Sequence, residues 1–150
     1  MKKKISIFLL LLFISSCGYQ PLYIGKKGNK FEFKKITLEG DKDINRRIIS
    51  SLQFEEKKDS SLNKSIVIQS KKNIDETSKD SKGRVASFRT TVQLNISIIE
   101  NNKITINKTF LKDFSYNTKD NKFDLSEYQR EVENNLVNKI IEDLILFMNL

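Results

Sequence analysis

Only a few residues in this chain of 150 are of types that do chemistry at neutral pH. There is no histidine, so the side chain whose ordinary pKa lies nearest neutrality is missing as a base, acid or metal ligand. The only cysteine is Cys17. No Gly-rich phosphate loop, no His/Cys metal spacing and no Gly-x-Ser-x-Gly elbow occurs. Carboxylates are plentiful, but a pair of them means little until they are brought together in space. The expectation is a protein that is not an enzyme, with no metal and no cofactor. The other chemistry on offer is anion binding. Lys82, Arg84 and Arg89 cluster where a turn enters a strongly patterned segment. Arginine offers phosphate a planar fork and lysine a point charge. The plain alternative is a solvated turn with one exposed arginine.

What positions Cys17 is the segment before it. Met1-Lys2-Lys3-Lys4 is basic, Ile5 to Ile14 is an uncharged run with Ser6 its only polar side chain, and Ser15-Ser16 are small. That is the order of a secretory signal. Ten helical residues cover about 15 Å against a hydrocarbon core of about 30 Å, too little to span. Ile14-Ser15-Ser16-Cys17 resembles the lipobox of bacterial lipoproteins. The resemblance implies cleavage before Cys17 and diacylglyceryl modification of its thiol. Gly18, in place of an inner-membrane retention aspartate, implies delivery to the outer membrane. Several acyl chains hold a protein stably where one does not. Residues 1–16 are thus expected to be a signal peptide and 17–30 a lipidated start and tether, with Gly18, Pro21, Gly25 and Gly28 keeping it extended. Residues 31–150 suit one domain.

The formal charge of +8 loses three with Lys2, Lys3 and Lys4, leaving +5. Twenty-two lysines against five arginines, with abundant Ile and Asn, read as coding bias as much as selection for anions. Basicity alone is therefore weak evidence for a nucleic-acid partner, and export argues further against one. A basic surface outside the cytoplasm would sooner meet phosphates on lipids.

Residues 31–39 read as a strand whose apolar pairs, Phe31/Phe33 and Ile36/Leu38, change parity, which predicts a bulge near Lys34-Lys35. Ile44, Ile48, Ile49 and Leu52 share a helical face, predicting a helix over about 43–56 after an aspartate cap. A strand follows over 64–70. Residues 71–83 are so polar that either the strand continues exposed or a loop begins. The clearest alternation runs over 85–99. Ala86, Phe88, Val92, Leu94, Ile96 and Ile98 lie on one face; Ser87, Arg89, Thr91, Gln93, Asn95 and Ser97 lie on the other. A three-residue loop, Glu100-Asn101-Asn102, would pair Ile98 with Ile104 and Ile96 with Ile106. Lys108 and Lys112 interrupt the inward face of the next strand, where distortion or edge exposure is expected. Asp124 and Glu127 resemble a capping box. Leu125, Tyr128, Val132, Leu136, Ile140, Leu144 and Met148 then stripe a long C-terminal helix whose last two turns are apolar nearly all round. The expected fold is an α+β two-layer sandwich, a mostly antiparallel four-stranded sheet with two helices on one face, in the order β-α-β-β-β-α.

With these elements in place the chain resembles the lipopolysaccharide-assembly lipoproteins of the LptE type, in particular their alphaproteobacterial branch. The resemblance rests on Cys17-Gly18-Tyr19-Gln20-Pro21-Leu22-Tyr23, on Asn45-Arg46-Arg47-Ile48-Ile49-Ser50-Ser51-Leu52, and on the element order. It implies an outer-membrane lipoprotein facing the periplasm. Such a protein plugs and helps assemble the LptD-type β-barrel and assists lipopolysaccharide transport, with that barrel, lipopolysaccharide and the membrane as partners. The competing class is a lipid-anchored accessory lipoprotein of a transporter, or a pilotin, that does not bind lipopolysaccharide.

Overall fold

The structure is a computed structural model that describes residues 31–58 and 63–148. The expected signal peptide (1–16), Cys17 and the expected tether (17–30) lie outside the described residues. The order is β1 (Glu32–Phe33), β2 (Lys35–Gly40), α1 (Lys42–Leu52), β3 (Glu55–Glu56), β4 (Lys64–Lys79), β5 (Val85–Glu100), β6 (Lys103–Asn117) and α2 (Lys122–Met148). The main sheet runs β2-β4-β5-β6, with β2 parallel to β4 and the other pairs antiparallel. Helix α1 lies over β2 and β4, helix α2 over β5 and β6, and the two helices touch. This is the expected α+β sandwich.

The parity change at Lys34 is real, but it marks a change of partner. β1 pairs with β3 in a two-residue parallel ribbon, while Lys34 already donates its N–H to Lys64 O at 2.7 Å as β2 begins. Phe33 turns inward, and the rings of Phe31 and Phe33 meet Phe54 edge-on at 5.7 and 5.3 Å. Glu32 and Lys57 pair outside.

Helix α1 is capped by Asp41, whose Oδ1 accepts from Asp43 N at 3.0 Å and Ile44 N at 3.1 Å. It ends sooner than the expected Glu56. Gln53 takes the left-handed conformation (φ 53°), which lets Phe54 fold back into the core. At its start Gly40 (φ 86°) carries the chain out of β2 so close to β4 that a Cβ there would lie 1.8 Å from Ser70 O.

The polar stretch after Ser70 is strand. It pairs with β5 as far as Lys79, with irregularities between Glu76 and Lys79. β5 is central and keeps strict period two. Val92, Leu94 and Ile96 are wholly buried, each such side chain contributing about 1.5–3 kcal/mol. Thr90 is also on this inward face and wholly buried; its hydroxyl is 2.9 Å from the hydroxyl of Tyr116.

The hairpin differs from expectation. Glu100 pairs with Lys103, Ile99 with Ile104 and Ile98 with Ile106, so Ile98 does not face Ile104 and Ile96 faces Lys108. The turn is two residues, Asn101 (φ 49°) and Asn102 (φ 62°), the double left-handed pattern whose twist suits a hairpin. A register shift beyond Ile99 leaves Thr105 as the extra residue, with its hydroxyl donating to Ile98 O at 3.2 Å. The shift restores the apolar face that a plain two-residue turn would put out of register.

β6 is an edge strand, as the inward lysines implied, and most of it is exposed. Lys112 resolves its inward position by pairing with Asp143 of α2 at 2.7 Å. Helix α2 starts two residues before the expected box. Asn121 Oδ1 accepts from Phe123 N at 2.8 Å, so Asn121 is the cap and Asp124 a first-turn acid that complements the helix dipole. Its buried stripe is Val132, Leu136, Val137, Ile140, Ile141 and Leu144. Arg47 ties the helices together through Asn134 and Asn138, at 2.6 and 2.9 Å. Lys72 joins β4 to Glu133 of α2 at 2.7 Å.

Candidate binding surface

The sheet face opposite the helices is where this sequence spends its uncharged polar side chains. Period two sends Thr91, Gln93, Asn95 and Ser97 of β5 outward. In register beside them are Asn73, Lys71, Gln69 and Val67 of β4, and Asp113, Leu111, Thr109 and Asn107 of β6. The amides form a chain across three strands. Gln93 Nε2 donates to Asn95 Oδ1 at 3.1 Å, Asn95 Nδ2 to Gln69 Oε1 at 3.3 Å, and Gln69 Nε2 to Glu39 Oε2 at 3.3 Å. Toward the far end Ser87 bonds Thr77 and Ser78 at 2.7 and 2.6 Å. Such a face is wettable and nearly neutral, and no helix among the described residues covers it.

The three cations lie at that far end. Asp80 organises the turn between β4 and β5. Its Oδ1 accepts from the backbone N–H groups of Lys82 and Arg84, both at 2.9 Å, and its Oδ2 accepts from Arg84 Nε at 2.8 Å. Gly83 supplies the positive φ (79°) that closes the turn, and its N–H donates to Asp80 O at 2.9 Å. The Arg84 backbone N–H holds the Asp80 carboxyl below the usual carboxylate range. Loss of water opposes this, and the Arg84 side chain and Lys82 N–H assist it. Arg84 Nη2 is 2.8 Å from Asp80 Oδ2. Lys82, in the same turn, makes no ion pair among the described residues.

Arg89 projects from the polar face four residues along β5 from Val85, or about 13 Å at strand rise. Its Nε donates to Ser115 Oγ at 3.1 Å and lies 3.8 Å from Asp113 Oδ2, and it pairs in register with Asp75. The structure therefore brings Lys82 and Arg84 together, sets Arg89 apart, and gives each arginine a carboxylate. Sequence reading missed the carboxylates. Asp80 was within reach as an Asp-x-x-Gly turn, whereas Asp113 is brought to Arg89 by pairing across strands alone. Among the described residues no three carboxylates or other ligating groups gather as a metal site, and no helix is long and apolar enough to cross a membrane.

No family model matches the chain, and no curated relative does. Solved structures do share its fold. Rare lipoprotein B from Shewanella oneidensis superposes with a TM-score of 0.60 at 10% identity, covering 77% of this chain and 93% of that one. An uncharacterized lipoprotein B from Nitrosomonas europaea gives 0.56 at 13% identity, over 80% and 86% of the two chains. A minor lipoprotein from Acinetobacter baumannii gives 0.52 at 12%, over 77% and 90%. At these identities what is shared is the fold.

Proposed function

We propose that this chain is an outer-membrane lipoprotein that plugs and helps assemble an LptD-type β-barrel and assists the passage of lipopolysaccharide. The observation that carries the reading is the open sheet face, a nearly neutral, mostly polar surface rich in amides and hydroxyls opposite the helices. A large barrel encloses water between polar walls, and a domain seated there must present a face that stays wetted and makes many weak polar contacts. Two further features support it. The fold is shared with rare lipoprotein B, and the start of the chain has the charged, apolar and small order that ends at Cys17. Lipid on Cys17 would hold the domain at the inner leaflet of the outer membrane. Lys82, Arg84 and Arg89 would meet lipopolysaccharide phosphates, each arginine exchanging its carboxylate for a phosphate oxygen.

The test is recovery of tagged protein from outer membranes, with partners identified by mass spectrometry. The barrel should co-purify. An inner-membrane transporter or a secretin in its place would overturn the reading in favour of an accessory lipoprotein. In the same preparation Cys17→Ser should accumulate as an uncleaved, unlipidated precursor. A free Cys17 thiol on mature wild-type protein would remove the anchor.

A further inference from the structure

β6 pairs with β5 on one side only, and among the described residues no strand or helix pairs with its other edge. A free edge is a row of unpaired backbone donors and acceptors, which proteins usually blunt. The other free edges here are blunted. On β2, Ile36 N–H is already taken by Glu56 Oε2 at 3.0 Å. Beyond β2, the exposed stretch of β4 carries Lys71, Lys72, Asp75, Glu76 and Lys79 and ends in irregular pairing. β6 is different. It is 15 residues long, and Ile104, Leu111 and Phe114 on it are 63%, 55% and 46% exposed. Its inward lysines are not equivalent. Lys112 is neutralised by Asp143, while Lys108 makes no ion pair among the described residues.

We infer that the β6 edge is a docking site for an extended strand of a partner protein, one that carries a carboxylate opposite Lys108 and large apolar side chains opposite Leu111 and Phe114. Charge and spacing select this occupant. Residues directly opposite in an antiparallel pair share a face, and like charges there repel. A second copy of β6 fits poorly, because no two-fold register about residues 108–112 puts a carboxylate opposite Lys108. Two-fold pairing about Phe110 sets Lys108 against Lys112, and pairing about either lysine sets it against itself. Pairing about Thr109 or Leu111 drives the lysines onto Phe110, Ile106 or Phe114. A foreign strand with a carboxylate meets none of these conflicts. Read from its N-terminus and paired antiparallel, it has the order apolar-x-x-apolar-x-x-acidic, matching Phe114, Leu111 and Lys108. Main-chain bonds would supply affinity, and the alternate side chains specificity. The inference does not depend on the barrel reading, since it concerns an edge and not the polar face.

The test uses the full chain and a labelled peptide, Thr-Thr-Ile-Thr-Thr-Ile-Thr-Thr-Glu-Thr-Thr. It should bind, weaken with salt, and slow amide exchange within residues 107–117. The same peptide N-methylated at alternate residues should not bind. Lys108→Glu, an exposed change whose fold is checked by circular dichroism, should weaken binding on the order of 5-fold. A peptide with Lys in place of Glu should recover binding to that variant. Lys108→Ser should bind the two peptides alike. No binding, equal binding of the N-methylated peptide, protection on β2 or the amide face, or indifference to charge at position 108 would each overturn the inference. So would a dimer of the chain alone with residues 107–117 already protected.

Discussion

Gly40 and Gly83 adopt nearly the same backbone conformation, φ 86° and 79°, in very different surroundings, so together they separate two costs of adding one methyl group. At Gly83 a Cβ meets nothing within 4 Å. Gly83→Ala should therefore cost only the left-handed backbone term, about 1–2 kcal/mol. At Gly40 the same term applies, and the Cβ would fall 1.8 Å from Ser70 O and 2.9 Å from Ser70 C, both backbone atoms of the paired strand. Contact distance requires a shift of more than 1 Å. That shift must strain Asp41 N–H to Ser70 O (3.2 Å) and Ser70 Oγ to Asp41 O (3.0 Å), which fix the residue that caps α1. A backbone displacement of this kind costs about 1–3 kcal/mol and a lost hydrogen bond about 1. Gly40→Ala should thus destabilise by about 3–6 kcal/mol, against a whole-domain stability of about 5–15. At roughly 4 °C per kcal/mol the melting temperature should fall by about 12–24 °C, and for Gly83→Ala by about 4–8 °C. Thermal unfolding followed by circular dichroism measures both. Equal falls would show that the approach of β2 to β4 at Ser70 is not as tight as described, and the account of this corner would fail.

Ile96→Asp places an unpaired charge at a wholly buried site and should leave the domain unfolded, whereas Asn95→Asp, on the open face, should change stability by no more than about 0.5 kcal/mol; similar melting temperatures for the two would refute the face assignment. Asp80 has a folded pKa below its unfolded value of about 3.9, so its support of the turn is complete above that pH and is lost as pH falls through the depressed value. Exchange of the Lys82 and Arg84 amides should accelerate there in wild type and show no such step in Asp80→Asn. The triple change of Lys82, Arg84 and Arg89 to Ser should keep the fold, since its ion pairs are largely exposed, but should weaken lipopolysaccharide binding, and wild-type affinity should fall with salt. Unchanged affinity at low ionic strength would remove these residues from the site.

The layers of this fold were legible because burial imposes a period. Over 85–99 every second residue is apolar since one face lies under helices, and Thr90 fits that series once its bond to Tyr116 is known. What was not legible is set by single residues with local choices. Thr105 restores by a register shift what the Asn101-Asn102 turn would displace, and no periodicity reports which strand absorbs the extra residue. Gln53 ends α1 by turning left-handed, although Phe54-Glu55-Glu56 could continue the helix by composition. Asn121 outcompetes Asp124 as a cap because its side chain reaches Phe123 N. At the candidate site the cations were readable as types. Their carboxylate partners were not, because Asp113 meets Arg89 only through the register of β5 with β6.

The connections within the sheet differ in length, and this bears on the order of folding. β4 reaches β5 through residues 80–84, and β5 reaches β6 through two asparagines. Both hairpins close over short stretches of chain, where the entropy lost in closure is small. β2 meets β4 only after residues 41–63, most of them helix and ribbon, have crossed over. The three-stranded meander can therefore assemble from local contacts before β2 and α1 arrive, and its nucleus centres on β5. On this topology the parallel strand is expected to join last; held chiefly by six paired residues and the contacts of α1, it should also be the part whose release leaves the rest of the sheet standing.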